Sequence, residues 1–182
     1  MKIWQQRRFA WLITIILIFA AVFGCSGGKL ATLAEQSRQY FYAGEHQDGL
    51  SIDHDLTRRA DAAYNLYTVA ARYLAADDGA LIALLAAREQ LLAAESVSAC
   101  YAANTALSEQ VMAVYTVLGD YELSEKDAHY RQKLLEDLQS ANAIISHDGY
   151  NAQAAECNQK LAAFPASLIG GVWGIEAVEY FR

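Results

Sequence analysis

The sequence predicts an all-α protein, an antiparallel bundle of about four long helical segments that follows an N-terminal membrane helix. Three observations predict it. Only one proline, Pro165, occurs in 182 residues, and it lies near the far end, so nothing before it forbids helix. Alanine and leucine, both strong helix formers, recur in long runs. Apolar residues return at alternating spacings of four and three, the repeat of a helix with one buried face, and no strand pattern competes. Four such stripes joined by short connectors bury their faces by packing on one another. Once the first two dozen residues are set aside, the length fits one domain with its own core.

The first element follows MKIWQQRR. From Phe9 to Gly24 there is no charge, and the uncharged run continues to Gly28. A hydrocarbon core of ~30 Å needs about 17–25 helical residues, so Phe9 to Gly28 can cross with little tilt. Trp4 and Trp11 fall near the expected interface, and Lys2, Arg7 and Arg8 precede the run, which holds that end in the cytoplasm and places the body outside. Three fates fit this segment: an uncleaved single-pass anchor, a lipoprotein signal with lipidation at Cys25, and ordinary secretion. The anchor fits best, because 16 apolar residues slightly exceed the usual ~7–15 of a cleaved signal and Phe23 is unusual beside a lipidation site.

Residues 29–43 read as a membrane-proximal helix stopped by Gly44, followed by a polar connector. Three regions result: 1–28 as anchor, 29–50 as proximal helix and connector, and 51–182 as bundle. Asp53 is the expected cap of the next helix, since a side-chain oxygen there can accept from unpaired backbone N–H groups. Its stripe runs Leu56, Ala60, Ala63, Tyr67, Ala70, Leu74. AADDG (75–79) interrupts, helix resumes through residue 95, and Ser96 to Thr105 reads as a loop. A third stripe holds Leu107, Val111, Val114, Leu118 and Tyr121. Ser124 with Asp127 forms a capping box that opens a helix with the stripe Leu134, Leu138, Ala141, Ile145. A kink or break is expected at Gly149, because glycine inside a helix costs about 1 kcal/mol against alanine. Pro165 ends the last long helix, and the apolar tail after it should fold back on the bundle or touch the membrane.

Charge excludes one class of function. Lys2, Arg7 and Arg8 are three of 14 basic residues, leaving 11 against 21 acidic ones on the remainder, a formal charge of −10. Such a body repels phosphate backbones, and no basic cluster lies outside the N-terminus, so nucleic-acid binding is not expected.

The block GYNAQAAECNQKLAAFPASLIGGVWGIEAVEYF resembles the LemA family signature, carried by Tyr150-Asn151, Asn158, Phe164-Pro165, Gly170, Gly174 and Phe181. DLTRRADAAYNLYTVAARYL is similar to the family's first long helix, with Arg58, Arg59, Asn65 and Leu66 in its places. Cys157 stands where a second tyrosine is expected, Tyr64 where proline is common, and His147-Asp148-Gly149 replaces a basic stretch. The resemblance implies a bacterial membrane-anchored helical bundle without established catalytic residues.

The individual residues agree with that implication. Asn65, Asn151 and Asn158 sit near apolar stripes, where a buried amide must be hydrogen-bonded; interhelical pairing that fixes register is the expected role. Of four histidines, His54 is flanked by Asp53 and Asp55, but adjacent helical residues diverge by about 100° and cannot converge on one ion. Histidines 46, 129 and 147 have no Cys or His partner at metal-ligand spacing. Asp77-Asp78 and Glu122 with Glu125 fit solvated caps better than acid–base pairs, and no nucleophile or phosphate-loop motif occurs. Cys100 and Cys157 are not expected to pair: counted from the turn near 122–124 they are offset by ~18 Å along a bundle axis, and a disulfide needs Cα atoms within about 7 Å. The expected function is therefore a non-catalytic anchored scaffold, without cofactor or metal. It would bind the membrane and another membrane or envelope protein or a second copy. A ligand- or lipid-binding module is the alternative, and an unrecognised hydrolase comes last.

Overall fold

A computed structural model describes residues 7–45 and 49–182. Lys2, Trp4 and His46, and the side chains of Arg7 and Arg8, lie outside that description. Seven α-helices occur in it, α1 (Arg7–Ala43), α2 (Ile52–Ala70), α3 (Gly79–Leu92), α4 (Val97–Val117), α5 (Glu125–His147), α6 (Tyr150–Ala162) and α7 (Ala166–Trp173), and the described residues contain no strand. The all-α class holds. The chain divides into two compact units: Met1–Arg38 with Gln153–Val178, and Gln39–Ala152 with Glu179–Arg182.

The second unit contains α2 to α5. Each of these helices packs on its neighbour in sequence across a short connection, and α2 lies against α3, α4 and α5. Leu56, Ala60, Ala63, Ala70 and Leu74 are buried as the spacing requires, and Leu66 completes that face. The cap of α2 differs from expectation. Ser51, in extended conformation at φ −139°, accepts from the His54 N–H at 3.1 Å. Asp53 is already inside the first turn, where its charge meets the positive end of the helix dipole. AADDG is a turn, closed by Asp78, which accepts from the Ala80 N–H at 2.8 Å.

The loop expected over Ser96 to Thr105 is helix. Ser96 caps it by accepting from the Ala99 N–H at 3.2 Å, and the buried face of α4 runs Val97, Cys100, Asn104, Leu107, Val111, Val114 and on to Leu118. Those positions keep the three–four repeat throughout. A thiol and an amide at two of them hid the stripe. Tyr121, expected to extend it, is exposed beyond a 3₁₀ turn at Leu118–Asp120.

At the start of α5 the Ser124 hydroxyl accepts from the Asp127 N–H at 3.1 Å, half of the expected capping box. The other half is redirected: the Ser124 N–H donates to the Tyr73 hydroxyl at 3.0 Å, and Tyr73 donates to the Asp127 carboxylate at 2.7 Å. Ser124 Oγ donates to the same carboxylate at 2.9 Å, and Arg72 pairs with it. The bond from Tyr73, with Ser124, Arg72 and Lys126 aiding it against burial, holds Asp127 below the usual carboxylate range. A depressed acid stabilises the fold above its ordinary value near 3.8 and loses that contribution as pH falls through the lower folded value. Asp127→Asn should therefore flatten the acid limb of stability against pH; an unchanged limb in urea titrations between pH 5 and 2 would refute this role.

The first unit contains the apolar run of α1. This helix is uninterrupted through Gly24, Gly27 and Gly28 and ends at Ala43, so the expected proximal helix is its continuation. Among the described residues it is the one helix long and apolar enough to cross a membrane, and none of its apolar window is buried. Ala34 and Ser37 are buried, and so are Ala154 and Cys157 of α6. The Cys157 thiol faces the Leu33 carbonyl at 3.9 Å. After Pro165 the chain enters α7, which closes on Gly174 in the left-handed region at φ 63°. The Ile175 N–H then returns to the Gly170 carbonyl at 2.9 Å, the closure such a residue permits. Gly27 sits directly against the indole of Trp173, where any Cβ would collide with the ring.

Candidate functional site

The sequence features of highest interest separate into three settings. In the first, the asparagines of α6 act on segment 175–182, which is neither helix nor strand. Asn158 Oδ1 accepts from the Val178 N–H at 2.7 Å while its Nδ2 donates to the Val178 carbonyl at 2.8 Å. Asn151 does the same to Phe181, at 2.8 Å and 3.0 Å. The expectation of interhelical pairing is corrected: a primary amide presents one donor and one acceptor side by side, matching the C=O and N–H of a single backbone residue. Asn65 is exposed. Removing a clamp leaves two backbone groups unpaired, so Asn158→Ala should lower stability by about 1–3 kcal/mol. A denaturation midpoint within error of the parent would argue against it.

The second setting is aromatic. Tyr150 is fully buried and donates to the Glu179 carbonyl at 2.7 Å. Its ring meets Phe41 edge-on at 5.4 Å between centroids, and Phe41 meets Phe181 at 5.9 Å. The third setting holds polar groups with unused bonding capacity. Arg58 is half-exposed and pairs with Asp55 at 3.0 Å. Arg59, next to it, is 3% exposed. It donates to the Leu138 carbonyl of α5 and to Ser108 Oγ of α4, both at 2.6 Å. Its Nε has no partner, and among the described residues no carboxylate pairs with it. Burial pushes this guanidinium down to about 10, still ionised at neutral pH.

Arg59 lines a cleft of about 330 Å³ with Ser108, Gln139, Asn142 and the apolar Val111 and Met112. Ser108 and Asn142 also line a cavity of about 490 Å³ that contains Asn104. Asn104 donates to Asn142 Oδ1 at 3.3 Å, while its own Oδ1 has no partner. This is the interhelical asparagine pair that the sequence suggested elsewhere; Asn104 was missed because it lay in the supposed loop. Its position on the three–four repeat was the available signal.

The LemA family model matches residues 50–182. The chain belongs to the LemA family. No curated protein matches it. The LemA match takes in Arg59, Asn104, both amide clamps and Tyr150, but it begins after Phe41, which the aromatic cluster requires. Phe164 and Pro165, also LemA positions, lie at the turn between α6 and α7, and Phe164 is 82% exposed. Among the described residues no group of three or more His, Cys, Asp or Glu is placed to hold a metal. Cys25, Cys100 and Cys157 are free thiols, and burial pushes the Cys100 thiol up, away from the nucleophilic thiolate.

Proposed function

We propose that this LemA protein is a non-catalytic helical scaffold that its N-terminal helix anchors in a membrane, with the helical body outside the cytoplasm. It binds another membrane or envelope protein, or a second copy of itself. The observation that carries the reading is the continuity of α1: the helix with the exposed apolar run also supplies buried Ala34, Ser37 and Phe41. Cleavage and lipidation at Cys25 would leave those three residues in place, so Cys25 decides only the form of attachment. A reporter fused after Arg182 should be active only outside the cytoplasm, and cytoplasmic activity overturns the orientation. Palmitate labelling that disappears in Cys25→Ala would replace the uncleaved anchor by a lipid one. Cross-linking in membranes should recover stoichiometric protein.

A second reading is favoured by one observation, the buried Arg59, which among the described residues has no counter-charge. Desolvating a cation costs several kcal/mol, roughly, unless an opposite charge accompanies it. A small anion with an apolar portion suits the cleft beside it, whose walls are apolar with two amides and a hydroxyl. Recovery of a small acidic molecule in place of protein would favour this reading.

A further inference from the structure

α7 has an apolar face that water does not suit. Leu168 and Val172, one turn of α7 apart, are 58% and 73% exposed, and Phe164, at the turn just before α7, is 82% exposed. No charged residue occurs from Leu161 to Ile175; Lys160 and Glu176 bound the stretch. Within the same unit, Phe164, Pro165 and Leu168 stand beside Ile18, Phe19 and Val22 of α1, around a wholly apolar cavity of about 300 Å³. At the other end of α7, Trp173 rests on Gly27.

We propose that the α6–α7 turn, Leu161 to Ile175, is a second membrane element, inserted tip-first into the leaflet that α1 enters, with lipid acyl chains covering Phe164, Leu168 and Val172. The proposal rests on α1 crossing the bilayer. Three features select lipid over a protein partner. The exposed face is continuous with the apolar, unburied surface of α1. The depth fits: Gly27 to Phe19 is about 12 Å of helix, inside the ~15 Å of one leaflet, so the tip beside Phe19 stays within it. The flanks also fit, with Trp173 at the level aromatic rings prefer. Lys160, ion-paired with Glu156 at 2.6 Å, has a stem long enough to keep its ammonium in water. The apolar cavity then holds acyl chain, since a cavity without polar groups does not hold water. The turn adds a second point of attachment beside the single helix.

The test uses the full chain with Trp4, Trp11 and Trp173 changed to phenylalanine, carrying Phe164→Trp or, separately, Ile16→Trp as a marker of the anchor. Each is reconstituted in phosphatidylcholine vesicles with acyl chains brominated at defined depths. Phe164→Trp fluorescence should be quenched by bromine within the acyl region and spared by aqueous acrylamide. Quenching of Ile16→Trp by bromine, with Phe164→Trp quenched only by acrylamide, overturns the insertion and leaves the anchor standing. Failure of bromine to reach either tryptophan overturns both. Protection of Phe164→Trp from both quenchers replaces lipid by a protein contact. Leu168→Trp substitutes if Phe164→Trp does not fold.

Discussion

Phe41→Ala is expected to lower the unfolding free energy by about 3–5 kcal/mol, the range for emptying a buried aromatic site. Phe41 is fully buried. Its ring contacts Tyr150 edge-on and lies 5.9 Å from that of Phe181, and such aromatic pairs contribute about 0.5–1.5 kcal/mol beyond the area they bury. Tyr150 is held by its hydroxyl bond to Glu179, so it cannot swing into the void without losing that bond. Phe41→Leu keeps most of the volume and should cost much less. Urea unfolding in detergent, followed by near-ultraviolet circular dichroism, measures both. A loss below 1 kcal/mol for alanine would mean that the aromatic cluster does not depend on α1.

Arg59→Met is expected to act in the opposite direction, raising stability by on the order of 1–3 kcal/mol, because it removes a buried charge that has no opposite partner. Methionine matches the length of the arginine stem and fills irregular space. The bonds lost do not strand their acceptors. Ser108 still donates to the Asn104 carbonyl at 2.9 Å, and the Leu138 carbonyl keeps its own helical partner. Any stabilisation of the parent by a small organic acid should vanish in the same variant. A fall in stability of more than 1 kcal/mol would instead assign Arg59 to holding α2, α4 and α5 together. Stabilisation on that scale would mark Arg59 as a cation kept for a reason other than the fold.

The extent to which the fold was legible depended on what each residue does with its periodicity. Leu56, Leu107, Leu134 and their partners reveal their helices because they are large, apolar and spaced for one face. Asn104 and Cys100 occupy the same kind of position but read as breaks in a search for apolar residues. The cap at Ser51 was displaced to Asp53 because both are good acceptors and only backbone conformation separates them. For the candidate site, the sequence named Arg59, Asn151 and Asn158 but not their partners. Asn151 and Asn158 bond to backbone, which has no sequence identity to read, and Asn142 is recognisable only once α4 and α5 are packed. Phe41 lies nine residues before the family match begins and announces nothing by itself.

The clamps on 175–182 have a consequence for how this segment moves. Exchange of an amide hydrogen with solvent requires its bond to open, and chains without helix or ladder usually exchange within their random-coil times. Here the N–H groups of Val178 and Phe181 are each held by an asparagine oxygen, and their residues are 1% and 7% exposed. These two hydrogens, three positions apart, should therefore share the slow clock of the helices. To isotope labelling this irregular stretch is a row of pinned points, its order supplied by side chains where backbone elsewhere supplies its own.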